Sequence, residues 1–191
     1  MKKRQKRVLV ALGWYDYRLH RGIERYALEH EWNLSANLAR EKVIPWGWEG
    51  DGILAWLGAG GDLAEFVQPT DRPTVDFSFR RPHLKFPRVL EDHGHAAELV
   101  AEHFLSRGLS NFLFYSESDN WSYEARGKGF VNALTRKNCE CTWLRWHESP
   151  AFRTDNEQWR QRRKWLMSHI KQAPKPVGIF AANDEHALHV L

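Results

Sequence analysis

Trp121 and Arg126 stand in what reads as the loop and first helical turns after a strand ending at Tyr115. An indole stacks on the apolar face of a sugar, and a guanidinium donates two hydrogen bonds to neighbouring hydroxyls, so the pair carries the chemistry of carbohydrate capture. A core tryptophan beside a surface arginine would give the same spacing. Asp184 ends the run Val-Gly-Ile-Phe-Ala-Ala-Asn. A carboxylate there can accept two hydroxyl donors or cap the helix that follows, and position alone does not separate the two roles. Asp16, Tyr17 and Arg18 lie just beyond the first apolar run, open to a ligand or to a plain capping role.

Other chemistries find less support. Gly58-Ala59-Gly60-Gly61 follows an apolar run and precedes a helical one. The dinucleotide pattern needs glycine where Leu63 stands, and the Walker pattern needs Gly-Lys-Ser/Thr, so a plain turn is the better account. Neither a Gly-x-Ser-x-Gly elbow nor a His-Glu-x-x-His pair occurs. The chain has 10 histidines, but His93 and His95 point apart on a helix and His186 with His189 lacks a third ligand. Cys139 and Cys141 are too close for an ordinary bridge and read as strand residues flanking a turn. No catalytic residue, metal site or cofactor is expected.

Composition sets the frame for these candidates. A chain of 191 residues with 42% hydrophobic and 27% charged residues and a net charge of +4 is an ordinary globular balance. It buries roughly two thirds of the surface its unfolded form exposes, so it needs no staple. Two cysteines so placed favour a reducing cytoplasm. The opening Met-Lys-Lys-Arg-Gln-Lys-Arg and the apolar run behind it imitate a signal peptide, yet the run stops at Tyr15-Asp16-Tyr17-Arg18 with no cleavage site. No stretch approaches the ~20 apolar residues of a membrane helix. The 10 tryptophans hint at a ligand without proving one, and packing is the expected role of most.

The elements that must position the candidates alternate. Strands are expected at Arg7 to Leu12, Leu34 to Leu38, Gly52 to Leu57, Pro73 to Phe77, Phe112 to Tyr115, Cys141 to Trp146 and Val177 to Ala181, with a short extended piece at Arg88 to Leu90. Between them run amphipathic helices: one with Leu19, Ile23, Tyr26, Ala27 and His30 on a face, one over Asp62 to Val67, and one with Ala97, Val100, Ala101, Phe104 and Leu105 as its stripe, ended by Gly108. Ser122 can cap the next, whose face is Gly127, Phe130, Val131 and Leu134. Thr154 and Glu157 form a capping box for a helix through Ile170, and a last helix begins at Asn183-Asp184. Strands alternating with helices imply an α/β fold with parallel sheets covered on both faces, and such sheets bind ligands beyond the carboxyl ends of their strands.

Five pieces in order resemble one family. They are Arg21-Gly22-Ile23-Glu24-Arg25-Tyr26-Ala27, Gly50-Asp51-Gly52-Ile53-Leu54, Asp92 ahead of Glu102-His103-Phe104-Leu105-Ser106-Arg107-Gly108, Trp121 with Arg126-Gly127-Lys128-Gly129-Phe130, and Lys175 through Asp184. Together they resemble the sugar-sensing domain of bacterial xylose operon regulators, which is built like the effector domains of LacI/GalR regulators and the periplasmic sugar-binding proteins. The resemblance implies a two-lobed, periplasmic-binding-protein-like (type I) fold with a monosaccharide held between hinged lobes, the first over residues 1–110 and the second, incomplete, over 111–191. It implies that Arg126 and Asp184 bind sugar hydroxyls, that Asp16 supplies a polar group from the loop after the first strand, and that Tyr17, Arg18 and Trp121 contribute. This sequence departs from the family at His93, where close relatives often have Asn after the Asp.

Members of that family continue into a C-terminal AraC-type pair of helix-turn-helix motifs, so the chain reads as a cut piece whose DNA-binding domain lies elsewhere. Expected from the resemblance are a pentose effector with D-xylose favoured, DNA contacted through the missing domain, a homodimer, a cytoplasmic location and no membrane. A solute-binding protein of a sugar transporter, or an α/β enzyme acting on a sugar or nucleotide, are the alternatives.

Overall fold

The computed structural model describes residues 4–41, 43–59, 61–153 and 157–191. Gly60 of the glycine run and Thr154 of the expected capping box lie outside them. The chain divides into two compact units, Met1–Glu91 and Asp92–Leu191.

In the first unit, β1 (Arg7–Leu12), β2 (Asn33–Ser35), β3 (Gly52–Trp56) and β4 (Thr74–Asp76) form a parallel sheet in the order β2-β1-β3-β4. Its helices are α1 (Tyr17–Glu29), α2 (Asn37–Glu41) and α3 (Asp62–Val67). In the second, β5 (Asn111–Ser116), β6 (Cys141–Arg145) and β7 (Val177–Ala181) form a parallel sheet in the order β6-β5-β7. Around it stand α4 (His93–Ser106), α5 (Trp121–Thr135), α6 (Gln158–Gln172) and α7 (Asp184–Leu188).

The strands read as unbroken apolar runs because each sheet is buried on both faces. Leu9 and Ala11 of β1 pack with Ile53, Ala55 and Phe66 on one face. Val10 and Leu12, pointing the other way, pack with Ile23 of α1. In the second unit Phe112 and Phe114 join Ala97, Phe130 and Leu134 beneath α4 and α5, while Leu113 and Tyr115 join Leu144, Trp146 and Leu166 on the α6 side. Strand β1 inside the first sheet and β5 in the middle of the second thus each serve two cores.

Several boundaries differ from the sequence reading. The stretch Leu34 to Leu38 is not one strand: β2 ends at Ser35, and Leu38 is buried on α2. Tyr26 and His30 of the α1 face are exposed and stack on each other at 3.8 Å between ring centroids, outside the core. Asn120, not Ser122, caps α5, and α6 starts at Gln158 without a side-chain cap from Glu157. Helix α4 falls in the second compact unit, where it packs along α5. Gly129 makes that approach possible: a Cβ there would lie 3.1 Å from both Ala97 Cβ and Gly94 Cα, so the helices touch nearly backbone to backbone. Gly108 ends α4 at φ +76°, the left-handed conformation that favours glycine. No helix among the described residues is long and apolar enough to cross a membrane.

Candidate functional site

Strand β5 is the middle strand of the second sheet, and the loop beyond its carboxyl end leads into α5. Asn120 fixes that entry. Its Oδ1 accepts from the Ser122 N–H at 3.0 Å and from Ser122 Oγ at 2.7 Å, satisfying a donor that the first helical turn leaves unpaired. Trp121 is therefore the first residue of α5, with Arg126 further along the same helix.

Arg126 reaches two other elements. Its Nε donates to His93 Nδ1 at 3.2 Å, and a terminal guanidinium nitrogen donates to the Ala182 carbonyl, just past β7. His93 is the first residue of α4 and is only 6% exposed, behind Asp92, whose carboxylate accepts from the His95 N–H at 2.9 Å. The Trp121 ring lies 5.0 Å from the His93 ring, tilted by 58°. Indole, imidazole and guanidinium thus form one group at the carboxyl-end edge of the sheet, where parallel sheets present their ligand-binding residues.

The structure brings Trp121 and Arg126 together through His93, which the sequence reading weighed only as a metal ligand and as a departure from the family. Its position at the head of the α4 stripe, directly after the capping Asp92, was the available signal. Asp184 sits at the first position of α7, exposed, and makes no hydrogen bond or ion pair with a described residue. The cap of α7 is Asn183, whose Oδ1 accepts from the His186 N–H at 2.7 Å and whose amide donates to Tyr123 Oη at 3.0 Å.

In the first unit Asp16 caps α1, its Oδ1 accepting from the Arg18 N–H at 2.8 Å and the Leu19 N–H at 3.1 Å. The Arg18 guanidinium pairs with Oδ2 at 3.0 Å. That side-chain hydrogen bond, with the backbone donors, holds the Asp16 carboxyl down to about 2. Tyr17 is 63% exposed beside it. Trp14, also missed by the sequence reading, is exposed with its ring 5.8 Å from Trp56, beyond the ends of β1 and β3.

A second polar group lies beneath the β5 edge. Glu117 accepts from Tyr115 Oη at 2.8 Å, pairs with Arg162 of α6 at 2.6 Å, and contacts His189 Nδ1. Burial first, then the Glu117 charge, pushes the Tyr115 phenol up, so it stays a protonated donor. His186 is buried against Tyr115 and Tyr123, and burial pushes its pKa down. These contacts tie the loop after β5 to α6 and to the chain after α7. Among the described residues no three His, Cys, Asp or Glu side chains are placed to hold a metal ion.

Residues 101–191 match the periplasmic binding protein-like domain family. A xylose operon regulatory protein of Haemophilus influenzae is 31% identical over 151 residues, spanning 74% of this chain and 37% of that protein. Among solved structures, a xylose-binding transcription activator superposes with a TM-score of 0.72 at 20% identity, covering 100% of this chain and 50% of the other. A LacI family transcriptional regulator from Enterococcus faecium with bound ribose gives 0.57 at 22% identity, covering 97% and 70%. A periplasmic solute-binding protein from Actinobacillus succinogenes with bound D-allose gives 0.60 at 16% identity, covering 97% and 72%. The structural likenesses show a shared α/β fold with parallel sheets flanked by helices. The chain spans well under half of the curated relative and half of the activator.

Proposed function

We propose that this chain, 31% identical over 151 residues to a xylose operon regulatory protein and built on the periplasmic binding protein-like fold, is the sugar-sensing region of a DNA-binding transcriptional regulator whose effector is a pentose, D-xylose first among them. The observation that carries the reading is the Trp121–Arg126 group at the carboxyl edge of the second sheet, an aromatic wall beside a rigid fork of donors. Sugar rings offer one apolar face and a rim of hydroxyls, and this pair addresses both. Asp184 adds an exposed carboxylate close by in sequence to Ala182, suited to accept from hydroxyls. In the first unit Tyr17 and Arg18 stay candidate contacts, with Asp16 acting through the order it gives the turn.

On this reading the chain acts by binding, not by turnover. A sugar that binds one arrangement of the regulator better than another biases it by that difference in affinity alone. The bias would be passed to a DNA-binding domain C-terminal to this region, in a cytoplasmic homodimer. Thermal unfolding of the full chain across D-xylose, L-arabinose, D-ribose, D-glucose and D-allose tests the reading. A saturable rise in Tm with a pentose supports it, since a ligand at about 100 times its Kd adds about 2.7 kcal/mol. Indifference to every sugar would sink it.

A further inference from the structure

We propose that His93 is a positioning residue for sugar binding, the acceptor that sets the plane of the Arg126 guanidinium. The inference rests on the reading that Arg126 takes the sugar. A guanidinium is a planar fork whose donors all lie in one plane, so whatever fixes that plane fixes where the fork points. One acceptor on a terminal nitrogen leaves the plane able to turn about that contact. Here the terminal nitrogen donates to the Ala182 carbonyl while Nε donates to His93 Nδ1 at 3.2 Å. Acceptors on two different elements, the end of β7 and the start of α4, thus act on the fork at separate nitrogens and oppose its rotation.

His93 is itself constrained. Its ring is buried, and the Trp121 indole stands 5.0 Å away as a wall. Accepting at Nδ1 requires the neutral imidazole with its proton on Nε2. The same side chain therefore braces both halves of the sugar site, the aromatic wall and the fork.

Asparagine can place Oδ1 where Nδ1 of histidine stands and so keep the acceptor; leucine has no acceptor, and glutamine carries its own one bond farther out. Calorimetric titration of the full chain with D-xylose, D-ribose and L-arabinose is expected to show His93→Asn within about threefold of the wild type. His93→Leu and His93→Gln are expected to bind about tenfold or more weakly, the loss of one charge-assisted hydrogen bond. In an Arg126→Lys background His93→Leu is expected to add no further loss, because an ammonium has no fork to orient; a merely structural role would add its full effect there. Wild-type affinity in His93→Leu, equal losses in the asparagine and leucine variants, or an undiminished loss in the lysine background would overturn the proposal. Absence of pentose binding by the wild type would be seen before any substitution and would remove the functional reading together with the inference.

Discussion

Replacing Gly127 by alanine sets a large steric effect against a small helical gain. A Cβ built at Gly127 lies 2.2, 2.3 and 2.7 Å from three atoms of the Trp143 ring, separations that cannot persist. The ring cannot simply step aside. Its Nε1 donates to Ser116 Oγ at 3.0 Å, the Arg145 guanidinium lies 3.5 Å over its face, and Phe114 meets it edge-on at 5.0 Å. Forcing an extra methyl into such packing costs about 1–3 kcal/mol, and disturbing the indole hydrogen bond and cation–π contact adds about 1 kcal/mol. Alanine returns about 1 kcal/mol of helix propensity. The net is a loss of about 1–3 kcal/mol, or a Tm lower by about 5–20 °C for a unit of this size. Gly22 on α1 is the matched control, since a Cβ there meets nothing within 4 Å and alanine should stabilise by about 0.5–1 kcal/mol. Thermal unfolding followed by circular dichroism and tryptophan fluorescence measures both. Should Gly127→Ala prove as stable as Gly22→Ala, the packing of α5 on β6 is not as described.

Arg88→Met should cost about 3–5 kcal/mol in denaturant melts at pH 7, because it strips the guanidinium 3.7 Å from the fully buried Asp76 carboxylate. Burial already pushes the Asp76 pKa up, so the loss should shrink at lower pH as the carboxyl takes a proton, and Asp76→Asn in the same chain should recover part of it. Asn183→Ala removes the cap of α7 and the bond to Tyr123, for an expected loss of about 1 kcal/mol. His186, its pKa pushed down by burial, is charged more readily in the unfolded chain. Stability should therefore rise with pH between its lowered folded value and about 6.5, and His186→Phe should flatten that slope in melts run across the window.

The alternation of apolar runs and amphipathic stripes made the α/β architecture readable, because a strand buried on both faces and a helix buried on one leave different marks on the residues. Arg7 to Leu12 read as a buried strand, and in β1 Val8 to Leu12 are all buried. Short elements were less legible. Leu38 is apolar and was drawn into β2, but α2 buries it against Leu9 and Ala11 of the sheet core, a tertiary contact with no local pattern. Ser122 looked like a cap, yet Asn120 caps the helix two residues earlier and takes the N–H of Ser122 itself.

At the proposed site, residue type made Trp121 and Arg126 candidates for sugar contact, while their spacing fits a core tryptophan beside a surface arginine equally well. The contact of Arg126 with His93 was not legible, because it joins two helices through a hydrogen bond that no local pattern marks. Asn183 and Asp184 show the same limit: both can cap a helix, and only the fold decides that Asn183 does, leaving Asp184 to solvent.

The proposed function stands or falls with the binding of a pentose by Arg126. Calorimetric titration of the full chain with D-xylose, run beside Arg126→Met, tests it most directly. Saturable binding by the wild type is expected, with an affinity about 10- to 100-fold weaker in the variant, the range expected when hydrogen bonds from a charged donor are lost. Saturable binding of equal strength in both proteins would contradict it, as would a wild type that binds no sugar.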